Sequence, residues 1–166
     1  MNYKRQQQLA GINESMKVIK APEPIRVANK AVFLAGSIEM GKAIDWQTKV
    51  TQALSELNVT VLNPRRDDWD SSWTQEIEND QFREQVQWEL SAMEQADLIL
   101  MYFDKDTKSP ITLMELGLHA QSDKLVVCCP KGFWRKGNVD IVCKRYNVTT
   151  VENIDQLIEV AITELS

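Results

Sequence analysis

Asp97–Ala120, DLILMYFDKDTKSPITLMELGLHA, decides how the rest of the chain is read. Asp97–Phe103 is an unbroken apolar run of strand length, as a strand buried on both faces requires. Asp104–Lys108 is a polar loop. Pro110 then suits the first turn of a helix, where its missing N–H leaves no bond unmade. Ile111, Leu113, Met114, Leu116, Leu118 and Ala120 are apolar nearly all round, which predicts a helix packed hard on a sheet. Glu115 is the single acidic residue within that helix. It is either a solvated helix glutamate or a carboxylate placed for use, and periodicity alone does not separate the two.

Working outward, the same unit repeats. Ala31–Ala35 (AVFLA) reads as a buried parallel strand, ending in Gly36-Ser37-Ile38 and Gly41, with a helix over Lys42–Leu57 whose Ile44, Val50, Leu54 and Leu57 face inward. Val59–Leu62 is a second strand, Thr74–Ala96 a long helix striped by Phe82, Val86, Leu90 and Met93 and widened by Trp88. Lys124–Cys129 is the strand after Asp97–Phe103. Asn138–Tyr146 is helical, Val148–Val151 is a short last strand, and Asn153–Leu165 is a closing amphipathic helix. Met1–Ser15 reads as a short helix or loose arm, and Pro22 and Pro24 make Lys17–Val27 a connector. The expected division is an arm and connector over 1–29 and one catalytic domain over 30–166. Strands alternating with helices give an α/β fold: a doubly wound, five-stranded parallel sheet, flavodoxin- or Rossmann-like, in the order 2-1-3-4-5. Ligands of such sheets sit beyond the strand C-termini where the order reverses, between the first and third strands. Gly36-Ser37-Ile38 and the Ser109–Glu115 segment both fall there. Simple geometry puts Glu89, on the helix leading into Asp97–Phe103, away from that end.

Composition sets limits. The 166 residues fit one domain with a proper core, and 43% hydrophobic with 26% charged residues is ordinary for a globular chain. A net charge of −5 and a pI near 5.0 argue against a binder of nucleic-acid polymers or membrane surfaces. Cys128, Cys129 and Cys143 lack metal-ligand spacing and read as reduced thiols, and there is one histidine, so no metal and no organic cofactor is expected. Neither a membrane span nor a signal-peptide core is present, so a cytoplasmic location is expected.

The local chemistry is suggestive. A strand, a glycine turn and a helix N-terminus form an anion cradle, although the same pattern serves as a plain tight turn. Asn63–Trp73 (NPRRDDWDSSW) is either a solvated charge cluster or a grip for an anion and a planar base, with Arg65 and Trp69 the residues of interest. Trp73, Phe133 and Trp134 either stack on a base or pack. His119, one turn beyond Glu115, is either a catalytic partner or, as is commoner at that spacing, a packing or surface residue.

The stretches FLAGSIEMG, VLNPRR, QWELSAMEQADLIL, SPITLMELGLHA and GNVDIV, in that order over Val32–Val151, resemble the nucleoside 2-deoxyribosyltransferase superfamily, including its nucleotide N-glycosidase branch. The resemblance implies that Glu115 is the nucleophile. It also implies that Glu89, where the family usually carries aspartate, assists the departing base. Asn138 matches a residue the family lends to a neighbouring subunit, with Asp140 in place of the usual methionine, and this implies a homodimer or larger homo-oligomer. Ser109 stands six positions before the nucleophile, where transferases carry aspartate and the monophosphate hydrolases a serine. With Gly36, Ser37, Ile38 and Gly41 it resembles the phosphate-holding set. The implied activity is cleavage of the N-glycosidic bond of a nucleoside or (deoxy)nucleoside 5′-monophosphate through a glycosyl-Glu115 intermediate. Base exchange by a transferase and a non-catalytic nucleotide-binding module are the alternatives.

Overall fold

Lys30–Gly36 (β2) shows why this sequence makes a sheet covered on both sides. Its Ala31, Phe33 and Ala35 enter one apolar cluster, while Val32 and Leu34, pointing the other way, enter a second. At about 1.5–3 kcal/mol for each large apolar side chain removed from water, only a strand with helices over both faces gains from such a run. The computed structural model of the protein describes residues 15–38 and 44–166. The Gly41 position and the arm before Ser15 lie outside the described residues.

The elements run β1 (Lys17–Lys20), β2, α1 (Trp46–Ala53), β3 (Val59–Asn63), α2 (Asp80–Gln95), β4 (Leu98–Tyr102), α3 (Pro110–His119), β5 (Leu125–Cys128), α4 (Lys136–Arg145), β6 (Thr149–Val151) and α5 (Ile154–Leu165). The sheet order is β1-β3-β2-β4-β5-β6, with every neighbouring pair parallel. The expected five-strand order is therefore present within a sheet of six. The addition is β1, from the segment read as a connector. It pairs with β3 through Val18↔Val61 and Ile19↔Leu62 and buries Ile19. Trp88, Ala92, Met93, Leu116, Val139 and Cys143 cover one face, and Trp46, Val50, Leu54, Leu157, Ala161 and Leu165 the other.

Two helices begin later than periodicity suggests, and a side-chain cap sets each start. The Asp45 carboxylate accepts from Thr48 N–H at 3.2 Å, so α1 begins at Trp46, and Ile44, expected inward, is 56% exposed. Asn79 Oδ1 accepts from Phe82 N–H at 2.9 Å, so α2 begins at Asp80 instead of Thr74. The largest correction concerns α3. Leu116 and Thr112 are buried, but Ile111, Met114 and Leu118 are 54%, 55% and 57% exposed. This helix is packed on one side only, and its other side borders a cavity.

Candidate active site

The cavity forms where the sheet order reverses, between the ends of β2 and β4. Gly36 ends β2 at φ +156°, beside Tyr102 of β4. A Cβ at this position would run into the Tyr102 carbonyl oxygen and lie 2.9 Å from Trp46 Cζ2, so the turn admits only glycine. The chain then turns into Ser37, whose N–H donates to Tyr102 O at 3.1 Å. Its hydroxyl accepts from Asp104 N–H at 3.0 Å. The loop after β4 is thereby tied to the loop after β2.

Three buried hydroxyls meet at this tie, those of Ser37, Thr107 and Ser109. Thr107 Oγ1 lies 3.0 Å from Ser37 Oγ and 2.7 Å from Ser109 Oγ, and the two serine hydroxyls touch each other. Thr107 donates its own proton to Asp104 O at 2.9 Å. With that donor committed, Thr107 acts as acceptor toward the serines, and the movable protons belong to Ser37 and Ser109. Those two line the cavity and Thr107 does not. Ser109 adopts left-handed backbone geometry (φ 46°), which aims its side chain at this cluster while Pro110 starts α3. The first turn of α3, Ser109–Thr112, thus borders the cavity with its helix N-terminus.

The cavity encloses about 730 Å³, within the range of small-molecule sites. Its walls include Gly36, Ser37 and Ile38 at the turn, Arg65, Trp69 and Trp73 from the loop after β3, Gln85, Glu89 and Leu90 from α2, and Ser109 and Glu115 from α3. The structure therefore brings Glu89 to the same cavity as Glu115, against the simple geometric expectation. The α2 stripe of Phe82, Val86 and Leu90, read as core, forms cavity wall instead, with Leu90 39% exposed.

Glu115 is only 7% exposed, and its Oε2 is buried without a hydrogen-bond partner. Burial first, and the nearby Glu89 carboxylate second, push its pKa up to about 8. Burial also raises Glu89, opposed by the Gln85 amide, which donates to Glu89 Oε1 at 3.0 Å. The bond from Gln85 favours the charge on Glu89 and leaves the proton on Glu115. The two carboxyls titrate as a coupled pair.

The other expected residues divide. Trp69 and Trp73 meet edge to face at 5.1 Å on the cavity wall. The Arg66 guanidinium lies 5.0 Å over Trp73 and is held by Asp68 at 2.6 Å and Glu84 at 2.9 Å, which leaves Arg65, paired with Asp45 at 3.2 Å, as the more exposed arginine. Phe133 is buried against Phe103, and Trp134 stacks under Arg135 at 4.3 Å; neither lines the cavity. His119, half-buried at the end of α3, is also absent from its walls. Asn138 is exposed on α4, outside the cavity of its own chain. Gln85 went unnoticed in the sequence. Its signal was the i, i+4 spacing to Glu89 on one helix face.

A family model described as nucleoside 2-deoxyribosyltransferase like matches residues 29–133, from just before β2 to the loop after β5. The chain belongs to the nucleoside 2-deoxyribosyltransferase-like family. Membership implies nucleoside glycosyl transfer or glycosidase chemistry on a nucleoside or nucleotide. No curated protein matches the chain. Among solved structures, a conserved protein from Enterococcus faecalis V583 is similar, with a TM-score of 0.62 and 12% identity. That match covers 83% of this chain and 100% of the other, a likeness of fold. Among the described residues no group of His, Cys, Asp and Glu is arranged to hold a metal ion, and no helix is long and apolar enough to cross a membrane.

Proposed function

We propose that this family member hydrolyses the N-glycosidic bond of a (deoxy)nucleoside 5′-monophosphate or nucleoside. The observation that carries the reading is Glu115: a buried carboxyl with an unpartnered oxygen, in a cavity shared with a second carboxyl.

The reactive form of the pair is the less populated one, reached when the proton passes from Glu115 to Glu89, leaving Glu115 ionised and Glu89 protonated. Glu115 attacks C1′ as the C1′–N bond breaks, and the bonding electrons leave with the base. Glu89, or a water it holds, gives the base its proton. A glycosyl ester on Glu115 results. Glu89, now a carboxylate, takes a proton from the incoming water, which attacks C1′ and frees Glu115. Two carboxyls serving one oxocarbenium-like transition state is the general solution for retaining glycosyl transfer. When the Ser37 and Ser109 hydroxyls turn from Thr107 toward a 5′-phosphate they donate to it, and the first turn of α3 and the Arg65 guanidinium add donors and positive charge. Trp69 and Trp73 offer aromatic surface to the base. Asn138, exposed and outside the cavity of its own chain, completes the site of a second copy on this reading, in line with the residue that the family lends to a neighbouring subunit.

The test is a chromatographic assay with nucleosides and nucleoside 5′-monophosphates, each run with and without a second free base. Free base and sugar phosphate from monophosphates are expected. A new nucleoside formed only with the second base would make the protein a transferase. Thermal stabilisation by a nucleotide without any product would make it a binding module.

A further inference from the structure

Gln85 lies on α2 one turn before Glu89 and is 6% exposed. Both hydrogens of its amide are committed. Nε2 donates to Pro64 O, at the end of β3, at 2.8 Å, and to Glu89 Oε1 at 3.0 Å. These bonds fix the side chain's orientation, because turning the amide over would set its carbonyl oxygen against two acceptors. Oε1 is consequently the atom left over. It is buried, it has no hydrogen-bond partner, and Gln85 is part of the cavity wall. A buried carbonyl oxygen without a partner is uncommon, and on a residue of the cavity wall its natural complement is a donor brought in by a ligand. The neighbouring side chains on this wall, Glu89 and Glu115, are acceptors whenever they are ionised. This end of the cavity is therefore rich in acceptors.

We infer that Gln85 is a substrate-binding residue whose Oε1 accepts a hydrogen bond from a substrate donor, an N–H of the base or an O–H of the sugar. The inference rests on the reading that the cavity takes a nucleoside or nucleotide. It gives Gln85 two roles. Through Nε2 it holds Glu89 against the end of β3, and through Oε1 it selects for a donor. A site built to hydrogen-bond a polar group rejects the analogue lacking it far more strongly than an apolar pocket rejects a changed shape.

The two donor sources separate when the products are titrated singly, because products bind without turning over. Calorimetry would follow each of the four free DNA bases, and 2-deoxyribose 5-phosphate, binding to the wild-type protein and to Gln85→Met, which keeps the volume and removes the amide. Weakening of about tenfold or more is expected for one product class with the other changed less than twofold. Loss confined to the bases assigns the donor to the base, and loss confined to the sugar phosphate assigns it to the sugar. Unchanged binding of both, or equal weakening of both, overturns the inference while leaving the glycosidase reading intact. If the wild-type protein binds neither class, both readings fall. Should Gln85→Met not fold, deleting the donor from the ligand gives the same answer in the wild-type protein. Each base that binds is then replaced by analogues lacking one N–H at a time, and 2-deoxyribose 5-phosphate by analogues lacking the 1- or the 3-hydroxyl. Full affinity for every shortened ligand would overturn the inference.

Discussion

Glu115→Gln should make the protein more stable, and only above mildly acidic pH. Burial and Glu89 raise the Glu115 carboxyl from an ordinary 4.5 to about 8. The folded chain thus keeps a proton that the unfolded chain releases. The contribution of Glu115 to wild-type stability is full below pH 4.5 and falls as pH rises toward 8, above which it is lost. At about 1.4 kcal/mol per pKa unit, the ceiling on that loss is about 5 kcal/mol. Water entering the cavity and the cost of burying the glutamine amide leave roughly half, about 2–3 kcal/mol. For a chain of this length that corresponds to a Tm rise of about 5–10 °C. Thermal melts followed by circular dichroism from pH 4.5 to 9 test it. The other ionisable groups are common to both proteins. The buried Cys128, Cys129 and Cys143 thiols, raised to about 11 or 12, do not titrate in this range. The variant should melt at or slightly below the wild type near pH 4.5 and rise above it as pH increases to 8. A Tm difference that is the same at pH 5 and pH 9 would refute the argument from burial. The same variant should turn over nothing, so stability gained here is stability the active chain forgoes.

Further outcomes follow from other parts of the site. Gly36→Ala should cost on the order of 2–4 kcal/mol, read as a lower denaturant midpoint, because its Cβ meets the Tyr102 carbonyl. Ser109→Ala should lower kcat/KM for nucleoside 5′-monophosphates about 10- to 100-fold and leave unphosphorylated nucleosides nearly unaffected, since a lost charge-assisted bond is worth roughly 1.5–3 kcal/mol; equal losses on both would remove the phosphate role. Asn138→Ala should depress activity without altering the melt. Light scattering of the wild-type protein should report a dimer or larger, and a fully active monomer would end the shared-site reading.

Much of the fold could be read from the residues, and the exceptions have physical causes. β2, β4 and β5 announce themselves because both faces are covered, so their apolar runs are unbroken. β1 does not, because Lys17-Val18-Ile19-Lys20 is short, charged at both ends and followed by prolines. The apolar residues of α3 and α2 were legible as apolar but not as cavity wall, since periodicity reports a face and not what covers it. Glu115 could be placed by chain order, one loop beyond a central strand. Glu89 could not, because its position depends on how α2 lies across the sheet, and only the family resemblance pointed to it. For Gln85 the sequence carries only its i, i+4 spacing to Glu89. The interest of Gln85 lies in which of its atoms remains unbonded, and no pattern of residue types carries that.

The short strand at the start of the sheet bears on solubility. Without β1, the outermost strand would be β3, whose Val59–Asn63 is buried along its length. Such a strand, mostly apolar and with open backbone groups, is a template for pairing with another molecule. β1 presents lysines at both ends instead, and Lys20 is anchored to Asp67 at 3.2 Å. Four modest residues therefore act as a guard against aggregation, and a chain shortened to begin after Lys20 should precipitate on heating well before its active-site carboxyls are disturbed.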